Sequence, residues 1–67
     1  MNKNLLKSIM SLNGETNRDL ADLLGISAQS VSAKMNENGS EFKQGEIAKI
    51  RKHYNLTEEQ IVNIFFN

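Results

Sequence analysis

The sequence predicts an all-α fold of five short helices around one core, and three observations carry that expectation. Apolar residues recur at spacings of three and four rather than alternating, and the β-branched residues are scattered. No proline interrupts the 67 residues. Capping side chains followed by Gly or Asn stops punctuate the chain from end to end.

Leu5, Leu6, Ile9 and Met10 define a first helix over roughly residues 2–12, ended by Asn13-Gly14. Thr16 opens the second helix, with Asp19 placed as a weak capping box. Leu20, Ala21, Leu23 and Leu24 supply its buried stripe, and Gly25 stands where a helix end wants a left-handed residue. Ser27 caps a third helix at once, with Ile26 stapling onto Val31. Val31 and Met35 mark its inner face. "NENGSEF" is a turn segment with Phe42 returning to the core. A fourth helix is expected from Gln44 to Tyr54 on Ile47, Ala48 and Ile50, weakened near its start by Gly45. Thr57 begins the fifth with the capping box "TEEQ", and Leu56 staples to Ile61. There is no repeat or linker, so residues 1–67 read as a single domain.

Composition excludes several classes of function. Without cysteine there is neither a disulfide framework nor a thiolate metal site, and His53 is the only histidine. No metal or other cofactor is expected, and no nucleophile stands ready to join His53. Glu58 and Glu59 fall in the first turn of a helix, where negative charge is stabilising, and Thr16, Ser27 and Thr57 are caps. An enzyme is not expected. No apolar run approaches the ~18 residues of a membrane span, and "MNKNLLKSIMSLNG" does not read as a signal peptide. The expectation is a cytoplasmic protein. Eight basic residues balance eight acidic ones, which argues against strong non-specific binding to nucleic acid but not against specific binding.

The connection between the second and third helices is too short for an antiparallel hairpin and suits the steep crossing of a helix-turn-helix, about residues 16–36. Ala21 allows close approach, Gly25 makes the turn, and Val31 and Met35 anchor the second arm. With those two inward, Gln29, Ala33 and Asn36 point outward, with Ser32 beside them and Ala28 and Ser30 near the N-terminal tip. Such a helix enters the DNA major groove by its N-terminal residues. The Gln29 amide suits bidentate pairing with adenine, Ser32 hydrogen bonds to several bases, and Ala28 and Ala33 contact with a thymine methyl. The alternative is an ordinary solvated helix face.

Asn17, Arg18, Ser30, Lys34, Asn36, Asn38, Ser40 and Lys43 flank these positions as expected contacts to the DNA backbone; for each charge, simple solubility is the alternative. Residues 15–45 carry three basic side chains against five acidic ones, an awkward balance for this role. Ile61, Ile64 and Phe65 complete a core stripe on the last helix. Val62 and Phe66 are left either to finish the core or to form a dimer interface.

The segment "TNRDLADLLGISAQSVSAKMN" resembles the helix-turn-helix of Cro and repressor proteins of temperate bacteriophages. "GSEFKQGEIAKIRKHYNLTEEQIVNIFF" is similar to the short Cro-like proteins of phages of Gram-positive bacteria, with their Phe, Glu-Ile pair, Leu-Thr helix start and terminal Phe-Phe. The resemblance spans about Leu5 to Phe66. It implies a five-helix lambda-repressor-like DNA-binding domain and a homodimer on a double-stranded operator in the bacterial host cell. It also implies a repressor's part in a lysis–lysogeny switch. Asn17 matches a family position that meets a phosphate. Lys34 departs from the family, where an apolar residue often anchors the third helix; Met35 is expected to take over, rotating that helix or shifting its end. A different class of function remains open: an antirepressor or modulator that docks on the phage repressor protein. The antitoxin of a toxin–antitoxin pair is a third, less suited because no extension is left to wrap a toxin.

Overall fold

The computed structural model describes residues 1–66. Among them the only regular elements are five α-helices: α1 Lys3–Leu12, α2 Asn17–Leu24, α3 Ala28–Met35, α4 Gln44–Tyr54 and α5 Glu58–Phe65. The fold is all-α, about 27 × 25 × 21 Å.

Local capping chemistry explains where the helices begin. The Asn2 side chain accepts from the Leu5 N–H at 3.2 Å, and Ser27 Oγ accepts from the Ser30 N–H at 3.0 Å. Thr57 and Gln60 satisfy each other reciprocally at 2.8 and 3.1 Å. Each bond satisfies one of the donors that a helix start leaves without an internal partner. Left-handed residues end two of the helices: Gly25 (φ 70°) closes α2 and Asn55 (φ 54°) closes α4.

The core gathers one or more buried side chains from every helix: Leu6 and Met10, Leu20, Ala21 and Leu24, Val31 and Met35, Ile50 and Tyr54, Ile61 and Ile64. The connecting residues Phe42 and Leu56 are buried with them. Phe42 meets Phe65 edge to face at 5.7 Å between ring centroids, a geometry that aromatic quadrupoles favour. α2 packs on both α3 and α4, while α1 packs on α5. The Asn2 N–H donates to the Ile64 carbonyl at 2.7 Å, which ties the start of α1 to the end of α5.

Two expectations about the core are corrected. Ala48 is exposed: Ile47, Ile50 and Tyr54 set the inner face of α4, and a turn of about 100° per residue carries Ala48 to the far side. Leu23 is only half-buried, at the flank of α2. No helix of the described residues is long and apolar enough to cross a membrane.

Candidate nucleic-acid interface

The α2–α3 unit is built around a three-residue connection, Gly25-Ile26-Ser27. The Ile26 N–H reaches back to the Ala21 carbonyl at 3.1 Å, Ile26 packs half-buried on the core, and Ser27 then caps α3. All three connecting residues are therefore committed, and the direction of α3 relative to α2 is determined locally. Ala21, 3% exposed, lies buried on α2.

The outer face of α3 is polar and small. Ala28 and Gln29 are exposed, and Ser30 is half-buried with its hydroxyl accepting from Ser27 Oγ at 2.9 Å. No acidic side chain falls in the first turn, so the positive end of the helix dipole is left uncompensated there. Ser32 and Ala33, expected to reach bases, are only half-exposed. Their carbonyls are engaged by the residues that close the helix: Asn38 N–H donates to the Ala33 carbonyl at 2.9 Å, and Asn36 Nδ2 to the Ser32 carbonyl at 3.0 Å.

Lys34 is the main correction among the expected backbone contacts. It is 8% exposed, and its Nζ lies 3.2 Å from Glu46 Oε1 and donates to the Glu41 carbonyl at 3.1 Å. A buried ammonium needs such partners; with its charge held inside, Lys34 is unavailable as a surface cation. Met35 is buried beside it, so the inner face of α3 is broadened to Val31, Lys34 and Met35. Gln29 and Ala33 remain the residues opposite. Burial pushes the Glu46 carboxyl up, but the Lys43 N–H at 2.8 Å and the Lys34 ammonium outweigh it and hold Glu46 below the usual carboxylate range.

The other expected contacts divide by availability. Arg18, Asn38 and Lys43 are exposed, while Asn17 and Ser40 are half-buried. Asn36 is exposed but doubly engaged, since its Oδ1 also accepts from Lys3 Nζ at 2.6 Å. This contact brings Lys3, a cation that sequence reasoning missed, to the C-terminal end of α3. Thirty-three residues separate the pair, and no local pattern announces it. At the start of α2 the Asp19 carboxylate accepts from the Thr16 N–H at 2.8 Å and from its hydroxyl at 3.2 Å. An anion thus already occupies the helix end at which Asn17 is expected to meet a phosphate.

The charge balance changes accordingly. Of the three cations in residues 15–45, Arg18 and Lys43 stay at the surface. Among the acids, Asp19 caps α2, Glu37 pairs with the Met1 ammonium, and Glu15 pairs with His53 at 2.9 Å. Asp22 and Glu41 are exposed. The His53–Glu15 pair joins the end of α4 to the turn before α2. The Tyr54 hydroxyl is buried near the same carboxylate but outside strict hydrogen-bonding geometry, so it favours the ionised carboxyl as a nearby dipole. The Tyr54 hydroxyl and the His53 ring together hold the Glu15 carboxyl below its ordinary range, while burial and the nearby Glu15 charge push the Tyr54 phenol up.

Val62 and Phe66 lie on the surface at 46% and 66% exposure, on and just after α5. Phe66 also forms one wall of a cleft of about 210 Å³ that includes Phe42, Ile47 and Phe65. No family model, curated protein or solved structure matches this chain, and the functional reading therefore rests on the residues themselves.

Proposed function

We propose that this chain is a small sequence-specific DNA-binding regulator of the Cro-like repressor kind, with α2 and α3 as a helix-turn-helix and α3 as its reading helix. The observation that carries the reading is the exposed, acid-free first turn of α3 bearing Gln29, held in direction by three committed connecting residues. In this reading Gln29 meets a base edge in the major groove and Ala28 lies against the same groove wall. Arg18, Asn38, Ser40 and Lys43 meet the phosphates on either side. Two such helices must sit about 34 Å apart to read successive turns of the duplex, and Val62 with Phe66 supplies the apolar surface for a homodimer that spaces them. A phage switch is the setting that the sequence resemblance suggests.

Two substitutions test the readout. Gln29→Ala is expected to relax base preference at one operator position, at a cost of about 1–3 kcal/mol on the preferred base. Lys43→Ala is expected to weaken all duplexes alike and to reduce the salt dependence by about one ion per site. Equal losses on every sequence for both variants would refute direct readout by Gln29. A second reading is favoured by the presence of only two exposed cations, Arg18 and Lys43, within residues 15–45: the same α3 face docking on a repressor protein. Binding to that protein without binding to any duplex would establish it instead.

A further inference from the structure

We propose that Lys34 is a positioning residue for the backbone-contacting segment, acting through Glu41 and Glu46 rather than on DNA itself. The inference rests on the DNA-binding reading above. Between Met35 and Gln44 the chain has no regular structure and passes through left-handed conformations at Glu37 (φ 52°) and Gly39 (φ 77°). This irregular segment nevertheless carries Asn38, Ser40 and Lys43. A loop that contacts phosphates must be ordered either before binding or at its expense.

The geometry shows how it is ordered beforehand. Lys34 lies in the last turn of α3, almost wholly buried, and reaches across to the far side of the loop. Its ammonium donates to the Glu41 carbonyl at 3.1 Å and lies 3.2 Å from Glu46 Oε1. That same carboxylate oxygen accepts from the Lys43 N–H at 2.8 Å. One node therefore joins the end of α3, two points of the loop and the first turn of α4. Phe42 anchors the segment between those two points, against Phe65. Glu46, itself only 14% exposed along its side chain, completes the node from α4. An apolar residue at position 34 could fill the same volume but could not hold the Glu41 carbonyl.

The paired variant Lys34→Met with Glu46→Gln isolates this role. It removes both charges together, so the large penalty of an uncompensated buried charge is avoided. The amide oxygen introduced by Glu46→Gln still accepts from the Lys43 N–H and keeps the α4 start capped. The expected result is an unfolding temperature close to that of the parent and faster amide hydrogen exchange over residues 37–43. Operator affinity is expected to weaken about tenfold, the effect of re-ordering even one loop residue on binding.

A thermodynamic cycle supplies the readout that a merely stabilising role would not move. Lys43→Ala is expected to cost less affinity in the paired variant than in the parent, because Lys43 is no longer held in place. An unchanged operator affinity, or full additivity with Lys43→Ala, would overturn the positioning role while leaving DNA binding intact. Failure of the parent to bind any duplex would overturn the DNA-binding reading and this inference with it, so the two failures are distinguishable.

Discussion

Gly25 and Gly45 invite the same substitution with opposite outcomes. A Cβ built on either glycine meets no atom within 4 Å, so neither alanine variant encounters a clash. Only the backbone differs: Gly25 has φ +70°, whereas Gly45 has ordinary helical geometry in the first turn of α4. An alanine forced into the left-handed region costs roughly 1–2 kcal/mol. Restricting the unfolded chain gives back about 0.4–1 kcal/mol at either position. Gly25→Ala is therefore expected to destabilise by about 1 kcal/mol, lowering the unfolding temperature by about 5 °C for a domain of this size. Gly45→Ala is expected to stabilise by roughly 0.5 kcal/mol, a rise of about 3 °C, because the restricted unfolded chain is itself the main source of alanine's helix preference over glycine. Thermal melts followed by circular dichroism, with parent and variants in one buffer, resolve both shifts. Movement in the same direction for the two variants would refute the assignment of Gly25 as a turn that requires the left-handed conformation.

Two more predictions concern stability against pH and the proposed dimer. The Glu15 carboxyl is held below its ordinary value of 4.5 by the Tyr54 hydroxyl and then by the His53 ring. It therefore contributes stability that is present above the unfolded-state value and lost as pH falls through the lower folded-state value. The unfolding temperature of the parent should exceed that of Glu15→Gln at about pH 6, and the gap should close as the pH drops below the ordinary value of 4.5; a gap that widens with acid would contradict the assignment. Phe66→Asp removes an exposed apolar side chain from the proposed two-fold surface. At roughly 1.5 kcal/mol per Phe, counted once for each protomer, the dimer should weaken by about a hundredfold. Sedimentation equilibrium checks this, and an unchanged association constant would place any interface elsewhere.

Much of the helical framework is legible in the sequence because its signals are local. The Ser27 and Thr57 caps act within three residues, as does the Thr16–Asp19 contact, and Gly25 follows the last apolar residue of α2 directly. The exposure of Gln29 and Phe66 likewise follows from helical spacing around Val31 and around Ile61 and Ile64. What escapes the sequence depends on partners distant along the chain. Sequence reasoning places Lys34 at the surface as a cation, and only the approach of α4 with Glu46 and of the Glu41 carbonyl explains its burial. Lys3 beside Asn36 and Glu15 beside His53 join positions more than thirty residues apart. Ser32 and Ala33 are only half-exposed, and the segment after them passes through left-handed Glu37 and Gly39; a left-handed Glu has no sequence signal of its own. Local propensities describe the helices, whereas the burial of Lys34 depends on contacts across the α3–α4 connection.

Whether the α3 face reads DNA is decided by a fluorescence-anisotropy titration at low salt. The probe is a duplex from the promoter region next to the protein's own gene, set against a scrambled duplex of equal composition. Tighter binding to the native sequence is expected, weakening as salt is raised because phosphate contacts release counterions. Equal affinity for the two duplexes, or no binding to either at micromolar protein, would contradict DNA reading by α3.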